Sequence, residues 1–141
     1  MQIERQLSFD VPKGRYRGRL LDVKETTRSD GKPLIRFIWD IIYPDNPSYD
    51  FKVGKNYSMN YRRDSDLLND LRDWKGAEFI DNLIDKGKLN LNDFVTHEAD
   101  LKIAHKNNKG HKRPFVHIKE IRPPGTFVKM PEIVVEVANA A

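Results

Sequence analysis

The chain has 141 residues, 38% hydrophobic and 33% charged, with 25 Lys and Arg against 21 Asp and Glu and a net charge of +4. This length predicts one domain with a conventional core, and the lack of cysteine excludes a disulfide scaffold, a thiolate zinc site and a cysteine nucleophile. No apolar run approaches the roughly 20 residues of a bilayer-spanning helix, and the start, Met1 to Arg5, lacks a signal-peptide layout, so a cytoplasmic protein without membrane contact is expected.

Ile3, Leu7 and Phe9 alternate loosely in an N-terminal arm or edge strand, and Val11-Pro12-Lys13-Gly14 marks a turn. Arg15 to Lys24 reads as a first strand of period two up to Leu20. At Leu20-Leu21 the apolar phase slips, which near Gly18 predicts a bulged or sharply bent strand. Arg28 to Pro33 is a turn centred on Asp30-Gly31. Leu34 to Ile42 is the clearest strand, with Ile35, Phe37, Trp39 and Ile41 on one face. Tyr43 to Ser48, with two prolines, is a loop. A third strand is predicted around Lys55 to Arg62, where Tyr57, Met59 and Tyr61 alternate with polar residues.

The period then changes to helical. Asp64 and Ser65 are good N-cap residues, Leu67, Leu68, Leu71 and Trp74 follow at helical spacing, and Gly76 stops the helix. Phe79, Ile80, Leu83 and Ile84 suggest a second short helix ending at Gly87, with the many Asp residues as a solvated face. Residues 99–105 and 114–121 form a final hairpin around the basic, acid-free run His105 to Arg113. Arg122-Pro123-Pro124-Gly125 ends the expected compact part. Residues 126–141 are then a tail or an added strand around Ile133 to Val137.

Three strands, a helical insertion over 64–87 and a two-strand hairpin make the order of a mainly β, five-stranded Greek-key barrel, the OB-fold plan. In that plan the helix plugs the open barrel end, so Leu68, Leu71 and Trp74 should face the core. An antiparallel sandwich is the alternative. Residues 12–124 also resemble the OB-fold single-stranded-DNA-binding accessory proteins of phages and prophages. The resembling features are Val11 to Tyr16 leading strand one, Ser29-Asp30-Gly31-Lys32 before an aromatic-rich strand two, Trp74-Lys75-Gly76 closing the helix, and Ile121-Arg122-Pro123. The resemblance implies non-catalytic work on single strands in replication or recombination, inside a bacterial or phage-infected cell.

Charge is unevenly placed: residues 1–63 carry 13 basic and 8 acidic side chains, residues 64–93 carry 4 and 8, and residues 94–141 carry 8 and 5. On the OB plan a strand runs across strands two and three between the loops Arg28–Pro33 and Lys106–Arg113. Lys106, Lys109, Lys112 and Arg113 would hold phosphates from one side, with Arg28, Lys32, Arg36, Arg62 and Arg63 from the other. Alternation gives Phe37 and Trp39 to the core, so bases would stack on Tyr61 and Tyr57, unless these two, alternating with Met59, also face the core. Arg15, Arg17 and Arg19 form a stripe that is either a second phosphate track or an ordinary face. The partner expected is single-stranded DNA, or RNA. The arm and tail offer edges for self-association, and a protein-interaction barrel is the rival reading.

Four histidines without cysteine make a poor metal set. Asp22, Asp40 and Asp50 are too scattered for a nuclease, and no phosphate-cradling or dinucleotide motif occurs. No catalytic residue, metal or cofactor is therefore assigned.

Overall fold

Alternation and helical spacing become five strands and two helices in the computed structural model, which describes residues 12–44, 52–59, 62, 64–106 and 115–130. The strands are β1 (Gly14–Thr27), β2 (Pro33–Tyr43), β3 (Lys52–Ser58), β4 (Glu98–Lys106) and β5 (Phe115–Arg122). Between β3 and β4 lie α1 (Asp66–Lys75), α2 (Ala77–Asp85) and a 3-10 turn, Leu91–Phe94. All strand pairs are antiparallel, in the order β3-β2-β1-β4-β5. No helix among the described residues is long and apolar enough to cross a membrane.

The phase slip in β1 is a bulge. Its ladder with β2 shifts between Leu20 and Asp22, leaving Leu21 outside the pairing and exposed. Tyr16 and Leu20 are buried before the bulge, and Val23 packs on the core after it. β1 thereby serves two neighbours: Gly14–Arg19 pairs with Ile103–Glu98 of β4, and the far half pairs with β2 as far as Thr27 and Pro33.

On β2 the expected face, Ile35, Phe37, Trp39 and Ile41, is buried. Phe37 meets Tyr57 edge-on at 5.2 Å, and Trp39 meets Trp74 at 5.1 Å. Each such buried side chain contributes on the order of 2 kcal/mol through its apolar area. β3 begins at Lys52 and ends at Ser58, earlier than its alternation suggested. Val53, buried against β2, is the one apolar residue in Lys52-Val53-Gly54, too little signal to mark a strand start. Residues 60 and 61 lie outside the described part.

Ser65 caps α1, its Oγ accepting from Leu68 N at 3.3 Å. Leu67, Leu68, Leu71 and Trp74 all enter the same core as the sheet, as their helical spacing predicts. Gly76, at φ 97°, separates the helices in a conformation that a side chain would strain. The acidic insertion is more than a solvated face. Asp70 pairs with Lys55 of β3 at 2.7 Å, Asp73 with Arg122 of β5 at 3.1 Å, and Asp81 with Arg72 at 2.8 Å.

The sheet is not closed into a barrel by its described ladders. β3 and β5 approach within 8 Å between Cα atoms, yet no ladder joins them among the described residues. α1 links the two edge strands instead, pairing with β3 through Asp70 and with β5 through Asp73.

The compact part also continues past Gly125. Asp100 Oδ2 accepts from Phe127 N at 2.8 Å and Val128 N at 2.9 Å, and Val128 is buried. The rest of the tail, 131–141, and the arm, 1–11, lie outside the described residues.

Candidate nucleic-acid interface

Register across β1, β2 and β3 decides which side chains share the outward face. Lys24 pairs with Arg36, and Arg36 with Asn56, so these three form one cross-strand row. In the next row Asp22, Ile38 and Gly54 are opposite one another. Arg36 Nη1 donates to Asn56 Oδ1 at 3.2 Å, and the guanidinium reaches over Gly54. Lys24 and Asn56 are exposed, and Arg36 and Ile38 half-buried. Sequence reasoning selected Arg36 but missed Lys24, because the bulge shifts β1's outward phase after Leu21. Gly54 falls before the third strand as its alternation marks it, so the sequence carried no signal for its place beside Arg36.

The β1–β2 turn is self-braced. Arg28 N donates to Lys32 O at 2.8 Å, and Asp30 Oδ1 accepts from Lys32 N at 3.1 Å and from Arg28 Nε at 3.0 Å. The hydrogen bond from Arg28, followed by the Lys32 backbone, brings the Asp30 carboxyl down to about 2. Arg28 is therefore already neutralised by a local carboxylate, while the Lys32 side chain remains exposed at the start of β2. Arg62 is exposed, 3.7 Å from Asp64, and leaves β3 at the same sheet end as this turn, since Ser58 pairs with Leu34. Lys106 ends β4, its backbone paired with Phe115. Because β4 runs antiparallel to the first half of β1, Lys106 and the β1–β2 turn leave β1 at opposite ends. Lys109, Lys112, Arg113, Arg63 and Tyr61 lie outside the described residues.

Tyr57 corrects the expectation of a stacking residue. It is 3% exposed, packs edge-on against Phe37, and donates its phenol to Asp70 Oδ2 at 2.6 Å. Burial, and then the Asp70 charge, push the phenol well above its usual range, so it stays a protonated donor inside the core. A ring held this way ties β3 to α1 and has no face to offer a base.

The arginines of the β1 stripe all make contacts within the fold, with Arg17 half-buried and Arg15 and Arg19 exposed. Arg17 binds Asp100 at 2.8 Å and Glu98 at 3.1 Å, Arg19 lies 3.5 Å from Glu98, and Arg15 sits over the Phe127 ring at 5.3 Å. The segment after Pro124 thus covers the outward side of β1's first half.

Searched against models of protein families and against curated proteins, the sequence matches none. Chemistry must be argued from the side chains. Among the described residues no group of three or more His, Asp or Glu is placed to hold a metal ion. His105 and His117 belong to the β4–β5 ladder but are not opposite each other: His105 faces Val116, and His117 faces Ala104.

Proposed function

We propose that this chain is a non-catalytic protein that binds single-stranded DNA, or RNA, on an OB-type barrel left open between β3 and β5. The fold reading is supported by the strand order, the bent β1 shared by β2 and β4, and the helices inserted between strands three and four. One observation carries the functional reading. Lys24 and Arg36 stand side by side on the outward face of β1 and β2, and among the described residues neither pairs with a carboxylate. The arginines of β1's first half, by contrast, are engaged with Glu98, Asp100 and Phe127.

Phosphates of a strand crossing this face would be met by Arg36 and Lys24 in the middle. Lys32 and Arg62, with Arg28 shared with Asp30, flank one end; Arg63 and the run Lys106, Lys109, Lys112 and Arg113 are kept from the sequence as further phosphate contacts. Tyr61 is the aromatic kept for stacking from the sequence. A part in phage- or prophage-type replication or recombination follows from the resemblance of residues 12–124 to that family.

The basic run is tested by charge reversal. Lys109→Glu with Lys112→Glu is expected to weaken oligo-dT binding at least tenfold and to reduce the magnitude of the salt slope by about 1–2. The thermal midpoint should stay that of the parent. Unchanged affinity in the double variant removes these lysines from the interface.

A further inference from the structure

Arg36 and Gly54 belong to neighbouring strands and make together a surface that neither makes alone. A methyl group at Gly54 would meet Arg36 Nη2 at 2.5 Å, Cζ at 2.7 Å and Nε at 3.1 Å. Three such distances mean that the guanidinium as a whole, and not one tip, covers the bare glycine backbone. The bond from Nη1 to Asn56 Oδ1, 3.2 Å, holds its far end on β3. Ile38, half-buried and opposite Gly54, borders the group with an apolar side chain.

Two further facts give this arrangement a direction. No carboxylate pairs with Arg36 among the described residues, whereas Arg17, Arg19, Arg28, Arg72 and Arg122 are each tied to one. Beside Arg36 and Gly54 no aromatic ring is outward among the described residues: Phe37, Trp39 and Tyr57 point into the core, and Tyr43, half-buried at the end of β2 opposite Arg17, stands away from this row. Single-strand binders need flat groups on which bases rest, and an immobilised guanidinium plane is one, since it joins stacking to cation–π attraction.

We infer that the Arg36 guanidinium, seated on Gly54 and fixed by Asn56, is a base-stacking position for a nucleobase of a single strand crossing β2 and β3. The inference rests on the single-strand reading above and deepens it. At one residue it replaces that reading: the base, and not the phosphate assigned to it above, is the group Arg36 recognises, and the phosphate in the middle of the face is left to Lys24. A phosphate contact would need only the charge. A stacking contact needs the plane, and the plane is what Gly54 makes room for.

The test compares oligo-dT with an abasic oligonucleotide of the same length, using the full chain and the Arg36→Lys variant. Lysine keeps the charge and loses the plane. Wild type is expected to bind oligo-dT more tightly than the abasic strand. Arg36→Lys should lower oligo-dT affinity about tenfold, near the low end for one stacked base. It should leave abasic binding within about twofold and the salt slope unaltered. Gly54→Val, which ejects the guanidinium without touching Arg36, should reproduce the selective loss, with its fold checked by thermal unfolding. If that variant does not fold, Arg36→Lys decides alone. Equal loss on both strands, or no loss on either, overturns the stacking role and leaves single-strand binding standing. Failure of wild type to bind either strand overturns both.

Discussion

Asp100 lies on the outward side of β4 and is nonetheless fully buried. Burial alone would raise its carboxyl. The Arg17 guanidinium and the backbone N–H groups of Phe127, Val128 and Gly125 outweigh it and hold the group below its ordinary range. With the folded value lowered, the unfolded chain binds more protons as acid is added. The contribution of Asp100 is thus complete above the ordinary carboxylate range near pH 4 and is lost as pH falls through the depressed value. Thermal melts from pH 6 down to pH 2 should show wild type losing stability below about pH 4. Asp100→Asn should start about 3 kcal/mol lower, as expected when one partner of a buried pair is removed, and should show a flatter acid limb. Parallel pH profiles for the two proteins would contradict this role. Alternation alone predicts Asp100 as a solvated strand residue between Ala99 and Leu101. Its burial depends on residues 27 and 28 positions later in the chain, which local periodicity cannot report.

At the scale of elements, β1 determines what the rest can do. Its bulge was legible because two adjacent leucines break a period-two pattern beside a glycine, and Gly18 has a steric reason to be there. A methyl group at Gly18 would stand 2.6 Å from Leu101 Cδ1 and 3.4 Å from the Trp39 ring. Gly18→Ala is therefore expected to cost about 1–3 kcal/mol through overpacking, read by urea unfolding. A neutral result would show that β4 can shift away from β1 at this point. The helices were equally legible, because Leu67, Leu68, Leu71 and Trp74 repeat at helical spacing between a serine cap and a glycine stop. Two features were not. The start of β3 carries a single apolar residue, and closure of the barrel depends on how two distant edges meet. The candidate site follows the same division: Arg36 was readable from β2's alternation, whereas Lys24 required the bulge and Tyr57 required the position of Asp70 on α1.

For the whole molecule, the arrangement of charge matters more than the total. The acidic insertion places Asp70 and Asp73 against Lys55 and Arg122, so part of the basic surplus is spent joining α1 to the two sheet edges. The C-terminal segment and β4 absorb Arg15, Arg17 and Arg19 in the same way. Outward on β1 and β2 this leaves the row of Lys24 and Arg36, while Lys119 is exposed on β5. Such a face should bind a flexible polyanion chiefly through displaced counterions, with bases adding the rest. The most direct measurement is a titration of fluorescent oligo-dT by the full chain at 50 and at 200 mM salt, with duplex DNA of the same length as competitor. The account predicts micromolar or tighter binding at 50 mM salt and a fall of about 50-fold at 200 mM, corresponding to about four phosphate contacts. Duplex should compete poorly. Absence of binding at 50 mM, affinity indifferent to salt, or preference for the duplex would contradict it.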